Sequence, residues 1–199
     1  MSPQSPDSSA AQPGPRSKPR GARESALARA VVELEEHVSG LGWDAPVGVF
    51  ALVRTAAALE TDPAIAEILD DEALAAARKD PESLTVIEQE DLPGAADLED
   101  LLAQLAWPES VDGVALSVER VTLPAQAEAE AAAIEAPEER VAYLQSRADR
   151  DDVRIVVGVL RSGESWCAIR ARSKDHERSV AQGDTLVPGL INALRATLL

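Results

Sequence analysis

Val153-Arg154-Ile155-Val156-Val157-Gly158-Val159-Leu160, followed after a short polar break by Trp166-Cys167-Ala168-Ile169-Arg170-Ala171-Arg172, is the stretch whose reading decides the fold. Both runs alternate with a period of two, and successive side chains of a strand point to opposite faces of a sheet. Pairing Leu160 with Trp166 around Ser162-Gly163-Glu164 puts Ile155, Val157, Val159, Cys167, Ile169 and Ala171 on one apolar face. The other face carries Arg154, Val156, Leu160, Trp166, Arg170 and Arg172. A slip of one residue would drive arginines into the core, so the pattern specifies a hairpin within a sheet.

Working outward, Leu27, Val31, Leu34 and Val38 recur at steps of three and four, which predicts an amphipathic helix over 23–38, stopped by Ser39-Gly40. Val47 to Arg54 is apolar on both sides and reads as a buried strand or a buried helix. Asp62-Pro63 starts a helix with Ile65, Ile68 and Leu69 on its apolar side, ending near Lys79. Leu84 to Gln89 is a short strand, Asp97 to Ala106 a short helix and Gly113 to Leu123 a third strand. Residues 124–150 are rich in alanine and glutamate and predict one or two helices inserted before the hairpin. Ser173 to Gly183 reads as a charged loop, and a final helix carries Leu186, Leu190, Leu194 and Leu198, starting as late as Val187 because Pro188 tolerates only the first turn. The expected architecture is α+β: a mainly antiparallel sheet of about five strands, with the N- and C-terminal helices packed on the face of Ile155, Val157, Val159 and Ile169. Residues 1–22 form a Pro/Ser-rich tail expected to be disordered, and 23–199 a single domain.

Of the 199 residues, 35 are acidic and 19 are lysine or arginine, for a net charge of −16, and the distribution is uneven. Residues 31–152 carry a net −22, whereas 1–30 and 153–199 each carry +3. Such a field repels nucleic acid and anionic lipid, whose binding needs clustered lysine and arginine, so neither is expected as a partner. The one cysteine, Cys167, rules out an internal disulfide and a cysteine zinc site, and its place on the apolar face suits a small hydrophobe. With no apolar run long enough for a signal peptide or a membrane span, a cytoplasmic location is expected.

The residues give little catalytic signal. His37 and His176 belong to no metal-binding spacing, and the acids at Asp70-Asp71-Glu72, Glu88-Gln89-Glu90-Asp91 and Asp149 to Asp152 do not follow a calcium-loop pattern. Phosphate loops and a Gly-x-Ser-x-Gly elbow are absent. No catalytic residue, metal ligand or cofactor is therefore assigned. The candidate binding residues are Arg154, Leu160, Trp166, Arg170 and Arg172, which combine guanidiniums with apolar area as binding hot spots do. The competing reading has helices cover that face, with the arginines paired to the protein's own acids.

Gly42-Trp43-Asp44 leading to Phe50-Ala51-Leu52-Val53, Trp107-Pro108 leading to Val118 through Pro124, the hairpin and Leu186-Val187-Pro188-Gly189-Leu190 together resemble an uncharacterised actinobacterial family of acidic proteins of about 190 residues. The resemblance covers roughly residues 24–199 and, since no activity is assigned to that family, implies no catalytic residue. At fold level the helix–strands–helix–strands–helix order is similar to bacterial secretion-chaperone-like domains, from which the excursion at 124–150 departs. Three functional readings follow. The first is a non-enzymatic, chaperone- or adaptor-like domain that binds a protein partner. The second is a small-molecule binder or enzyme with a site at a sheet end, marked by convergence of Arg54, Glu88 or Arg120 with His37. The third is a homodimerisation module using the hairpin edge or the last helix.

Overall fold

The computed structural model describes residues 21–123, 125–175 and 179–199. The expected tail and His176 lie outside them, apart from Gly21 and Ala22 at the tail's end. Six strands form one antiparallel sheet: β1 (Gly48–Arg54), β2 (Leu84–Glu88), β3 (Gly113–Thr122), β4 (Asp151–Leu160), β5 (Ser165–Ala171) and β6 (Val180–Gly183), in spatial order β2-β1-β3-β4-β5-β6. Residues 48–54 are thus strand, with both faces covered at their centre. The sixth strand falls in the segment read as a charged loop. Its four residues carry no alternation, yet they pair with β5 from Cys167↔Gly183 to Arg170↔Val180 and so occupy the hairpin edge named for dimer contacts.

The hairpin forms with the faces expected but a tighter register. Gly158 pairs with Trp166 and Val159 with Ser165, two residues from the Leu160–Trp166 pairing. The turn is the cause: the Leu160 N–H donates to Glu164 O at 2.9 Å and the Gly163 N–H to Leu160 O at 3.0 Å, leaving a three-residue loop. Gly163 takes φ +109°, which favours a residue without Cβ. A shift of two preserves parity, so every side chain keeps its side.

Helices cover both faces. α1 (Ala22–Gly40) lays Leu27, Val31, Leu34 and Val38 on Phe50, Leu52, Ala115, Val156, Leu160, Trp166 and Ala168. On the opposite face α4 (Leu98–Ala103) and α7 (Pro188–Ala196) supply Leu101, Leu102, Ile191 and Leu194 against Val114, Leu116, Val157, Val159 and Cys167. The placement of both terminal helices on one face is therefore corrected: α7 lies on the expected face and α1 on the other. The reason is that the arginine-bearing face is apolar along its middle, and each of those side chains gains roughly 1.5–3 kcal/mol on burial. Gly158 lets α1 settle closely, since a Cβ there would stand 2.7 Å from Val31 Cγ2 and 2.9 Å from Leu27 Cδ1.

Between β1 and β2 run α2 (Thr55–Thr61), a 3-10 turn at Pro63–Glu67 and α3 (Asp71–Lys79). One helix was expected over 62–79. Instead Asp62 caps the 3-10 turn and Asp70 starts α3 afresh by accepting from the Ala73 N–H at 2.7 Å, which leaves Ile68 83% exposed. Between β3 and β4, α5 (Ala125–Ala132) and α6 (Pro137–Ser146) pack on each other as the acidic excursion. Arg161, in the hairpin loop, donates to the carbonyls of Val111, Trp107, Pro108 and Leu198 and ties α7 to the entry of β3.

Candidate functional site

The five candidate residues on the hairpin are placed mostly inside the protein. Arg154, Leu160, Trp166 and Arg170 are buried beneath α1 and the loop after it, and only Arg172 is exposed. Arg170 makes a two-pronged ion pair with Glu35 of α1, Nε to Oε1 at 2.6 Å and Nη2 to Oε2 at 2.7 Å. That hydrogen-bonded carboxylate holds the Arg170 pKa above its ordinary value. Arg154 donates to Glu119 Oε1 at 3.0 Å and to the Gly42 carbonyl, and its guanidinium carbon lies 4.4 Å from the centre of the Trp43 ring. Arg172 approaches the same ring at 5.4 Å and bonds Asp44 and Asp152. Trp43 in turn donates from Nε1 to Asp175 Oδ2 at 3.0 Å, and the Asp44 N–H, at φ +66°, donates to Glu119 Oε2 at 2.8 Å. The hydrogen bond from Arg172 pushes the Asp44 carboxyl below its usual pKa. The arginines thus fasten the Gly42-Trp43-Asp44 loop and α1 to the strands, as the reading of internal pairing expected.

A different surface offers room for a ligand. Between α1 and α3, above β1 and β2, lies a cleft of about 760 Å³. Its floor is apolar, made by Leu34, Phe50, Leu69, Ala73, Ala76, Leu84 and Val86. The rim is formed by Glu33 and His37 of α1, Asp70 and Glu72 at the start of α3, and Glu88 at the end of β2, with no lysine or arginine in the lining among the described residues. Glu33, Glu72 and Glu88 have no ion-pair partner among the described residues. At the base Thr55 and Thr85 share a hydrogen bond of 2.9 Å, and the buried Ser83 hydroxyl, at a residue only 8% exposed, has no hydrogen-bond partner among the described residues. A buried unpaired hydroxyl costs free energy.

The convergence named for a small-molecule site is met in part. Glu88 and His37 line this cleft, while Arg54 lines a separate cavity of about 260 Å³, where it pairs with Asp112 at 2.7 Å. Arg120 lines neither. The sequence placed Asp70 and Glu72 only in an acid run, and Glu88 both in such a run and in the convergence with His37; Glu33, Ser83, Leu84 and Val86 were missed as site residues. The available signal was the shortness of the strand from Leu84 to Gln89 and its polar end at Glu88-Gln89, which suit a sheet edge. Among the described residues no three His, Cys, Asp or Glu side chains stand together as a metal site, and no helix is long and apolar enough to cross a membrane. Burial pushes the Cys167 thiol pKa up, which suits packing and not nucleophilic attack.

Fold and cleft define an α+β protein with an antiparallel sheet covered on both faces and an acid-rimmed, apolar-floored cleft at one sheet edge. The family model of the PPA1309-like proteins matches residues 27–199, and the chain belongs to that family. Comparisons with curated proteins and with solved structures gave no match.

Proposed function

We propose that this is a cytoplasmic, non-enzymatic binding protein, adaptor- or chaperone-like in its action, which holds a cationic segment of a protein partner in the cleft between α1 and α3. The observation that carries this reading is the rim: Glu33, Asp70, Glu72 and Glu88 surround an apolar floor, with no lysine or arginine among the described lining residues. Apolar contact supplies affinity there, and the fixed negative field selects sign and speeds encounter. Fluorescence anisotropy with labelled peptides tests it. A peptide mixing lysine and leucine binds, its glutamate–leucine counterpart does not, and Glu72→Lys with Glu88→Lys weakens binding at least tenfold while the circular dichroism spectrum stays unchanged. Equal binding of both peptides would refute the reading. A small-molecule site has one observation in its favour, since His37 and Glu88 share the cleft with the unpaired Ser83 hydroxyl; a diamine that binds as tightly as the peptide would select it.

A further inference from the structure

The cleft shares its floor with a free sheet edge. Among the described residues β2 pairs only with β1, so its other side is the end of the sheet. Backbone bonds from the Gln89 N–H to Val49 O, 2.9 Å, and from the Thr55 N–H to Ser83 O, 3.0 Å, bracket the β1–β2 ladder. Antiparallel pairs exchange bonds at every second residue, so Thr85 and Ile87 bond inward to β1 while Leu84, Val86 and Glu88 turn their N–H and C=O groups outward. Those outward groups have no partner among the described residues.

The two faces beside this edge differ in chemistry. Leu84, Val86 and Glu88 face the α1 side and line the acid-rimmed cleft. Ile87 and Gln89 face the other side, where they line a second cavity of about 410 Å³ with Leu92, Pro93 and Trp107, apolar apart from Gln89, Asp91 and Ser110. A strand laid along β2 would send alternate side chains into these two spaces.

Building on the proposed cleft function, we infer that β2 takes an extended segment of the partner as a seventh strand, with basic side chains in the cleft lined by Glu33, Asp70, Glu72 and Glu88 and apolar side chains alternating into the cavity lined by Ile87 and Trp107. Main-chain bonds to Leu84, Val86 and Glu88 give affinity, and the alternation gives specificity, as in other cases of strand addition. Charge complementarity selects this occupant over a second copy of the chain. Two β2 edges brought together would stack acidic clefts on each other in a protein of net charge −16. No other strand among the described residues covers the outward edge, and Ile87, the fourth of the five residues of β2, is 47% exposed.

Amide hydrogen exchange by NMR, with synthetic peptides of about nine residues, tests the inference. An alternating lysine–valine peptide slows exchange at Leu84, Val86 and Glu88 at least tenfold and leaves Thr85 and Ile87, already bonded to β1, nearly unchanged. The same peptide N-methylated at every second residue, on the side that meets β2, loses at least tenfold in affinity, and so does a peptide of equal composition with its lysines and valines in separate blocks. If all three bind equally, strand addition is overturned and the cleft reading stands; if none binds, both fall. Protection of the edge that rises with protein concentration in the absence of peptide would assign it to a second copy and overturn the inference.

Discussion

Removing Glu35 is the most direct test of how α1 sits on the sheet. Its carboxylate is 1% exposed and accepts two hydrogen bonds from the Arg170 guanidinium, itself 9% exposed, across 135 residues of chain. Breaking one side of such a pair strands the other charge in the interior, which costs about 3–5 kcal/mol. Asp175, 3.9 Å from Arg170 Nη1, stays as a weak second partner and places Glu35→Ala at the lower end, about 3 kcal/mol. For a domain of this size that lowers the melting temperature by roughly 6–12 °C. Urea unfolding followed by circular dichroism measures it. The double variant Glu35→Met with Arg170→Met removes both charges, and because a buried pair gains little over apolar side chains of similar volume, it should return to within about 1 kcal/mol of the parent. Arg170→Glu, which faces Glu35, destabilises strongly; Arg172→Glu, whose ion pairs are exposed to solvent, leaves the midpoint near that of the parent. A Glu35→Ala loss under about 1 kcal/mol, or a double variant no better than the sum of the singles, would refute the docking of α1 on β5.

Two further outcomes follow from geometry. Gly158→Ala drives a methyl into Val31 and Leu27, so α1 must lift, at a cost of about 1–3 kcal/mol in urea unfolding with Trp166 fluorescence altered. The Asp44 carboxyl has its pKa depressed in the folded protein, chiefly by the hydrogen bond from Arg172; its contribution is therefore complete above the unfolded-state value near 4 and is lost as pH falls through the folded value. The Asp44 side-chain carboxyl carbon resonance should accordingly shift in a step centred below about pH 4, and Arg172→Gln, which removes the hydrogen bond that lowers it, should move that step upward.

How much of this was legible in the sequence depends on whether the relevant period was local. The hairpin faces were readable because alternation over Val153 to Arg172 involves only neighbours, and the register erred by an even number because the turn, not the pattern, sets it. The stripe of Leu27, Val31, Leu34 and Val38 announced a buried helix, but an amphipathic helix does not say which side of a sheet it covers. The side follows from the apolar middle of the arginine-bearing face, where Glu35, the one buried acid on α1, also meets its distant arginine. β6 escaped because Val180 to Gly183 is half-exposed and follows no period. The cleft escaped for another reason: its walls come from α1 and α3, and α3 starts afresh at Asp70 where one helix was expected over 62–79.

The span between Glu35 and Arg170 also sets a timetable for synthesis. Translation proceeds at about 5–20 residues per second, so on the order of ten seconds passes between the appearance of Glu35 and that of its partner 135 residues later. Through that interval β5, which completes the bed for Leu27 and Val31, has not been made. A nascent chain halted before residue 166 should expose the α1 stripe, bind a hydrophobic dye and recruit general folding helpers; one released after residue 172 has left the ribosome tunnel should do neither.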